Sequence, residues 1–230
     1  VLAALPTSGP TADNSAFDAT DLAALINDDD TVNLDPEGIA VSPSGGFWVA
    51  SEGSGTVGDN DRPVESLNMV VEGVAEYNGK LYVAFQRAWD SEANPRIGVY
   101  DLTAESWSFV FYPLDTVESQ NGGWVGLSDL TSLGDGSFLV VERDNQFGPD
   151  AAIKRIYQID LANATADSTI SKTLMRDLIP DLTATGGMVP EKVEGLAVTA
   201  TGDVWVNNDN DGVDDNSGEN QLLRIGNTVD

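Results

Sequence analysis

The chain has 230 residues, 41% of them hydrophobic, which is enough to fill one substantial core. Its formal net charge is −27, from 38 acidic and 11 basic residues, and such a surface repels nucleic acid and anionic membranes. The absence of Cys excludes disulfides and thiolate chemistry, and the absence of His excludes a Ser-His-Asp triad and most zinc sites. Any catalysis must therefore rely on carboxylates, Lys, Arg, Tyr or a bound hard metal ion.

Residues 1–32 are predicted to form an N-terminal segment, and residues 33–230 a single domain. The segment contains "TDLAALIN", which is expected to supply a closing strand or a short helix. It begins "VLAALPTSGP", without an initiator Met or a basic region, so we interpret it as part of a mature secreted, extracellular or periplasmic chain. No apolar run approaches the ~20 residues that span a bilayer, so membrane insertion is not expected.

Four stretches share one pattern: a short strand, a Gly-containing turn, and a second alternating strand. Each of them predicts a β-hairpin. They read "PEGIAVSPSGGFWVASE" (36–52), "VEGVAEYNGKLYVAFQ" (71–86), "LSDLTSLGDGSFLVVE" (127–142) and "VEGLAVTATGDVWVNND" (193–209). Further strand-like runs are "RIGVYDL" (96–102), "WSFVFYPL" (107–114), "AIKRIYQIDL" (152–161), "STISKTLMRDLI" (168–179) and "QLLRIG" (221–226).

This recurrence predicts an all-β fold, a β-propeller-type array of four-stranded blades that is either a small ring or part of a larger one. A β-sandwich is the alternative. The first unit has only "GSGTVGDNDRPVESLNM" (53–69) in place of an outer pair, so other domains or subunits are candidates to complete the ring. Equivalent aromatic residues in the four units are expected to lie in the core: Trp48, Tyr82, Phe138 and Trp205.

The ends of these hairpins concentrate acidic residues. The start of the first strand and the end of the second lie at the same edge of a sheet. In chain order these positions hold Glu37 and Glu52, Glu72 and Gln86, Ser128 with Asp129 and Glu142, and Glu194 and Asp209. Carboxylates that converge on one face bind a cation or have raised pKa values, and oxygen ligands select calcium or magnesium. The simpler alternative is that each Glu-Gly merely begins a strand, with Glu in solvent.

The segment "VNNDNDGVDDNSGENQLLRIG" (206–226) is similar to the first half of a calcium loop. Asn207, Asp209 and Asp211 alternate before a glycine, and Asp215 and Glu219 add further oxygen ligands. The twelfth position is a glycine rather than a glutamate, so a helix–loop–helix calcium site is not expected. The segment predicts a calcium-binding acidic loop, with a merely solvated loop as the alternative.

These stretches resemble the phytase-like family of bacterial β-propellers, whose members are described as having esterase-like activity. The resemblance rests on "DPEGIAVSPSGGFWVASE", "EGVAEYNGKLYVAFQ", "LSDLTSLGDGSFLVVERD", "KRIYQIDL" and "EKVEGLAVTATGDVWVNNDND", within residues 33–226. The family is more distantly similar to calcium-dependent propeller phytases, in which acids of Glu-Gly segments hold calcium that binds phosphate. The resemblance implies that Glu142 and Arg143 form an "ER" pair, and that the rim acids are Glu37, Glu72, Glu194 and Asp209.

The resemblance and the acidic pattern together predict a calcium-dependent hydrolase of a phosphorylated small molecule. Glu142 would orient water, and Arg143, Arg87 and Lys192 would bind phosphate oxygens. The predicted metal ligands are Glu37, Glu52, Glu72, Glu194, Asn207, Asp209, Asp211, Asp215 and Glu219. One alternative is an ester or lactone hydrolase on a metal-dependent propeller, which would differ from the phosphoester hydrolase mainly in its substrate. Another alternative is a non-catalytic, calcium-stabilised propeller that acts as a binding or assembly module of a larger extracellular protein.

Overall fold

The computed structural model describes residues 36–51, 71–89, 92–184, 186–210 and 220–227. Nearly all of the regular structure in these ranges is β-strand. The strands are β1 (Pro36–Val41), β2 (Phe47–Ser51), β3 (Val71–Tyr77), β4 (Lys80–Phe85), β5 (Arg96–Asp101), β6 (Ser106–Phe111), β7 (Val125–Ser132), β8 (Ser137–Asp144), β9 (Lys154–Asp160), β10 (Lys172–Asp177), β11 (Lys192–Val198), β12 (Asp203–Asp209) and β13 (Leu222–Asn227).

The strands form four antiparallel sheets in which sequence neighbours are also spatial neighbours. We call them blade 1 (β1–β2), blade 2 (β3–β6), blade 3 (β7–β10) and blade 4 (β11–β13). The predicted all-β, propeller-type array is confirmed, and each predicted hairpin is present. Four strands per blade are found in blades 2 and 3. Within the described ranges, blade 1 has two strands and blade 4 has three. Residues 1–32 and 53–69 lie outside those ranges.

Two short helical elements were not predicted. A 3-10 turn, Gly148–Asp150, follows β8, and helix α1, Ile179–Ala184, follows β10. Leu182 of helix α1 and Leu178 just before it are almost fully and fully buried, and both pack in the core that blade 4 shares. Neither element in the described part of the chain is long and apolar enough to cross a membrane.

The first strand of each blade is innermost. Strand β1 contacts β3, β3 contacts β7, and β7 contacts β11, and all four line a central cavity of about 470 Å³. A Cβ atom on Gly38 would overlap the Glu72 carbonyl oxygen and lie 3.0 Å from the Gly73 Cα. A Cβ on Gly73 would overlap the Leu130 nitrogen. Neither glycine has a positive φ, so glycine is required here because one backbone packs directly on the next.

Two hydrophobic cores lie between the blades, on the two faces of blade 3. Strand β8 serves both because its side chains alternate. Phe138 and Val140 pack against blade 2, and Leu139 and Val141 pack against blade 4. Among the four equivalent aromatic residues, Tyr82 and Phe138 are buried as expected, whereas Trp48 and Trp205 in the outermost blades are half-buried.

Substitution of Gly73 by alanine tests the contact between innermost strands. The added methyl group meets main-chain atoms of β7, which cannot move aside as a flexible side chain would, so we expect a loss of about 3 kcal/mol of unfolding free energy. Gly79→Ala in the turn of the same hairpin is the control. Its methyl group meets nothing within 4 Å, so only the positive φ of 73° is penalised, by about 1 kcal/mol. Equal losses in urea titrations would contradict the close-packing explanation.

Candidate functional site

A β-bulge interrupts the first strand of every blade at the same place. The pairing register shifts between Pro36 and Gly38, between Val71 and Val74, between Leu127 and Asp129, and between Val193 and Gly195. A bulge bends the strand and redirects a side chain. The residues at the shifts include the Glu of every Glu-Gly pair and its counterpart in blade 3: Glu37, Glu72, Ser128 and Glu194. The sequence predicted that the starts of the first strands share one edge. In the structure these starts are the four bulges, and they lie at one end of the central cavity.

Blade 3 departs from the Glu-Gly pattern because its two residues bind the neighbouring strand. The Ser128 hydroxyl donates a 2.8 Å hydrogen bond to the Val193 carbonyl. The Asp129 carboxylate accepts hydrogen bonds from the main-chain N–H groups of Leu130, at 2.7 Å, and Leu196, at 2.6 Å. These side chains connect blades 3 and 4 where glycine contacts connect blades 1, 2 and 3.

The Asp129 carboxylate is enclosed even though the residue as a whole is half-buried. Burial raises its pKa to about 7, and the N–H groups of Leu130 and Leu196 offset only part of this effect. The nearby charge of Glu194 raises the Asp129 pKa further.

Glu72 is also buried, with 2% of its surface exposed. The Gln86 side-chain amide donates a hydrogen bond to its carboxylate, and the Gln86 carbonyl accepts one from the Leu127 N–H at 2.9 Å. Glu72 and Gln86, which the hairpin pattern placed at one edge, are therefore in contact and lie beside the start of β7.

Arg143 is the most buried of the predicted substrate-binding groups, with only 2% of its surface exposed. Its Nη2 lies 2.6 Å from Glu194 Oε1. Its Nε and Nη1 are buried and have no hydrogen-bond acceptor among the described residues. Burial raises the pKa of the half-buried Glu194, and the charges of Arg143 and Lys192 only partly offset this effect. One guanidinium nitrogen is thus held by a carboxylate, while the other two have no partner among the described residues.

Trp124 brings a second arginine to the same place. The guanidinium carbons of Arg87 and Arg143 each lie 5.0 Å from the centre of the Trp124 ring. Arg87 is exposed and forms no ion pair with any acidic side chain in the described ranges. Two cations therefore meet at one indole, and within the described part of the chain the carboxylate paired to them is Glu194.

Glu142 points to the other face of β8, toward blade 2. It is fully buried, with Lys172 Nζ 2.6 Å from its Oε2, and the Asp115 N–H donates a 2.8 Å hydrogen bond to its Oε1. Burial raises its pKa despite these contacts. The Lys172 ammonium also lies 4.1 Å from the centre of the Tyr157 ring. The predicted pair Glu142 and Arg143 is thus divided between two interfaces.

Asp115 joins this network to the surface. It pairs with Lys172 at 2.8 Å and with Arg155 at 2.6 Å, and it accepts a hydrogen bond from the Tyr157 hydroxyl. Burial alone would raise the pKa of Asp115, but these three donors outweigh it and the pKa lies below its usual value. A hydrogen-bonded network of this kind favours one arrangement of the contact between blades 2 and 3.

A second buried ion pair follows directly after Arg143. Lys154 and Asp144 have no exposed surface, and their charged atoms lie 2.8 Å apart. Lys154 Nζ also donates to the carbonyls of Asp144, Gln146 and Glu191, at 2.7 to 2.9 Å. Burial lowers the Lys154 pKa to about 8, although Asp144 opposes the change. Every donor of Lys154 is used, so this pair holds the loop after β8 in place.

The strand register changes which residues of blades 3 and 4 are equivalent. Glu142 pairs with Leu127, the residue before a bulge, and the residue in the same position of blade 4 is Asn208, which pairs with Val193. Asn208 is buried, whereas Asp209 is exposed and corresponds to Arg143 rather than to Glu142.

Asn207, Asp209 and Lys192 lie near Glu194 in blade 4, and the charge of Asp209 contributes to the raised pKa of Glu194. Lys192 Nζ lies 3.7 Å from Asp209 Oδ2, Asn207 is exposed beside Gly195, and Glu37 is half-buried. No three acidic side chains in the described part of the chain are close enough to hold a metal ion. Those residues alone therefore do not provide a calcium site. Four predicted ligands lie outside the described residues: Glu52, Asp211, Asp215 and Glu219.

Several components of the site were missed from the sequence. Trp124 lies before a strand and belongs to no repeat, and Lys154 looked like an ordinary strand residue. The pairing of Arg143 with Glu194 joins residues 51 positions apart, and no local pattern indicates it. For Asp129, the sequence signal is that it stands where the other three units have the glycine of Glu-Gly.

Comparison with a family model identifies the family of this chain. The family model described as "Phytase-like: Esterase-like activity of phytase" matches residues 56–212, more than half of the chain. The chain belongs to the phytase-like family. A search of curated proteins found no match. The matched region contains Arg143, Trp124 and Glu194, so the site described above lies within the phytase-like part of the chain.

Among solved structures, this phytase-like chain is similar to the crystal structure of the major Malassezia sympodialis allergen Mala s 1. The sequence identity is 15% and the TM-score is 0.43. The similarity covers 62% of this chain and 43% of the allergen chain, so this chain spans less than half of the allergen's length.

The raised pKa of Asp129 predicts a pH-dependent contribution to stability. An unfolded Asp titrates near ~3.9, so between there and pH 7 the folded state holds a proton that the unfolded state has lost. Stability from this group therefore falls as pH rises, by at most about 1.4 kcal/mol per pH unit.

Asp129→Asn removes this titration. The free energy of unfolding of the variant relative to the wild type should therefore improve by more than about 1 kcal/mol between pH 5 and pH 7. Asp150→Asn, at an exposed position, should show no such trend. Urea titrations at both pH values measure the difference. A gap between Asp129→Asn and the wild type that does not change with pH would show that Asp129 is already ionised at pH 5.

Proposed function

We propose that this chain hydrolyses a phosphoester and that Arg143 binds the phosphate. The observation that supports this is the buried guanidinium whose Nε and Nη1 have no acceptor among the described residues. Leaving buried donors of a charged group unpaired costs a few kcal/mol, so the arrangement favours a bound anion. Each of these two nitrogens can donate a charge-assisted hydrogen bond to an anionic oxygen such as that of a phosphate.

The surrounding charges support an anion at this position. The chain carries −27 overall, yet Arg87 and Arg143 converge on Trp124, and among the described residues Glu194 is the one carboxylate paired with them. Lys192, one residue before the Val193–Gly195 bulge and 3.7 Å from Asp209, adds a further positive charge beside Glu194. These cations would offset the repulsion between the acidic chain and an anionic substrate.

Glu194 holds Arg143 in orientation through the 2.6 Å contact with Nη2. In phosphoester hydrolysis, water attacks phosphorus while the P–O bond to the leaving group breaks, and the charge on the phosphoryl oxygens must be stabilised. Arg143 supplies that stabilisation. Glu142 was predicted to orient the water, but its carboxylate is enclosed on the other face of β8. The geometry therefore favours Glu194, the carboxylate in contact with Arg143, as the group that orients the water.

Calcium remains part of this proposal, at the acidic segment that begins with Asn207 and Asp209. Both residues are exposed, and the predicted ligands that follow them are Asp211, Asp215 and Glu219. When bound, calcium would neutralise substrate phosphates and lower the pKa of a bound water. Because the described residues do not form a complete site, the steps assigned to Arg143 and Glu194 use protein groups alone.

A non-catalytic role is the second candidate, and one surface favours it. Blade 1 exposes a row of apolar side chains on one face of its hairpin, with Phe47 67% exposed. The row is formed by Ile39, Val41, Phe47 and Val49. Such a face fits the prediction that other domains or subunits complete the ring, and that the propeller is an assembly module of an extracellular or periplasmic protein.

Arg143→Gln tests the enzymatic proposal. Losing the buried charge should reduce kcat/KM for a phosphomonoester such as p-nitrophenyl phosphate by about 100-fold, because one positioned donor contributes this much to charge stabilisation. Arg176→Gln is the control, since that arginine is exposed and pairs only with Asp181. The same assays with p-nitrophenyl acetate and a lactone identify the ester class. Absence of turnover on all three by the wild type would favour the non-catalytic candidate.

Calcium binding predicts a rise in melting temperature with added calcium and its loss with a chelator. At a calcium concentration 100 times the Kd, binding adds about 2.7 kcal/mol to the free energy of unfolding. Asp209→Asn should reduce the shift, whereas Asp150→Asn should leave it unchanged. Differential scanning calorimetry measures the melting temperatures of both variants. If the melting temperature of the wild type is the same with calcium and with chelator, calcium is removed from the proposal.

A further inference from the structure

Trp124 is held by a residue on the neighbouring strand end. Its main-chain N–H donates a 2.8 Å hydrogen bond to Asn145 Oδ1, and its carbonyl accepts a 3.1 Å hydrogen bond from the Asn145 N–H. Asn145 follows β8 directly and is therefore two residues from Arg143. The backbone of Trp124 is fixed relative to the strand that carries the buried guanidinium.

Two glycines let the surrounding groups approach Trp124 closely. Gly123 has a φ of 97°, and a Cβ there would overlap Asn145 Oδ1 and the Gln146 side-chain amide. Gly126 pairs with Arg143 across the sheet, and a Cβ on it would lie 2.9 Å from Trp124 Cζ3. The Asn145 amide thus lies against Gly123, and the Trp124 indole lies against Gly126.

We infer that Gly123, Asn145 and Gly126 form a latch that makes Trp124 a positioning residue for the anion site. The latch fixes the indole, and the indole in turn lies against the Arg143 and Arg87 guanidiniums, both 5.0 Å from the ring centre. An aromatic ring restricts a cation to its face and leaves the N–H edge available to a ligand. The inference rests on the proposed role of Arg143 in binding phosphate.

The latch has a specific chemical consequence. Arg143 is held at Nη2 by Glu194, but this one hydrogen bond does not by itself determine the tilt of the guanidinium plane. The Trp124 face supplies the second constraint, so the N–H groups of Nε and Nη1 each keep a fixed direction. Loosening Trp124 should therefore weaken phosphate binding before and during reaction alike, which raises KM with little change in kcat.

Adjacent glycines provide a matched pair of variants. Gly122 and Gly123 both have positive φ, 84° and 97°, so alanine meets similar backbone strain at each. A methyl group on Gly122 meets nothing within 4 Å, whereas one on Gly123 displaces the Asn145 amide. We expect the two variants to differ in affinity for inorganic phosphate, measured by isothermal titration calorimetry at a temperature at which both are folded.

Gly123→Ala should bind phosphate at least tenfold more weakly than Gly122→Ala, which should stay within about twofold of the wild type. Asn145→Ala removes the acceptor of the Trp124 N–H without adding atoms, and it should bind phosphate at least fivefold more weakly than the wild type. This variant tests the latch if Gly123→Ala does not fold. With p-nitrophenyl phosphate as substrate, the KM of both latch variants should rise while kcat stays within about twofold.

The outcomes separate this inference from the proposed function. The latch would be overturned if phosphate binding depends on Arg143 but has the same affinity in Gly122→Ala, Gly123→Ala and Asn145→Ala. That result would leave the phosphate site intact. If the wild type does not bind phosphate, or if Arg143→Gln binds it equally well, both the phosphate site and the latch are overturned.

Discussion

Main-chain contact between the innermost strands is the constraint on which the other features depend. Gly38 and Gly73 let the first strands of blades 1, 2 and 3 pack backbone against backbone, and Ser128 and Asp129 join blade 3 to blade 4 by hydrogen bonds. Because each first strand bulges at the same place, these contacts bring four equivalent positions to one end of the cavity. The candidate site is built where the blades touch most closely.

The interfaces between blades also determine where the few basic side chains lie. Lys172 neutralises the buried Glu142 between blades 2 and 3, Arg143 meets Glu194 between blades 3 and 4, and Lys154 is enclosed with Asp144 beside it. Buried ion pairs contribute little net stability compared with apolar groups, but each one makes a single arrangement of its partners preferable. Arg143 differs from the two lysines because its hydrogen-bonding capacity is not filled within the described residues.

The hairpins could be predicted because turn glycines and alternating apolar residues are local signals, and the structure has strands where these signals occur. The common edge of Glu72 and Glu194 followed from hairpin geometry alone. Alternation could also have shown that Glu142 and Arg143 face opposite ways, since neighbours on a strand always do. Their partners could not be predicted: Glu194, Lys172 and Trp124 reach the site through contacts between blades, and no sequence spacing encodes those contacts.

The alternation along β8 makes the strand intolerant of insertions and deletions. Its even and odd positions fill two different cores, and Arg143 continues the odd series that faces blade 4. Adding or removing one codon before Arg143 would turn the guanidinium toward blade 2 and carry Glu142 to the opposite side. Length variation among related chains should therefore be confined to the segments between hairpins, while β8 keeps a constant number of residues.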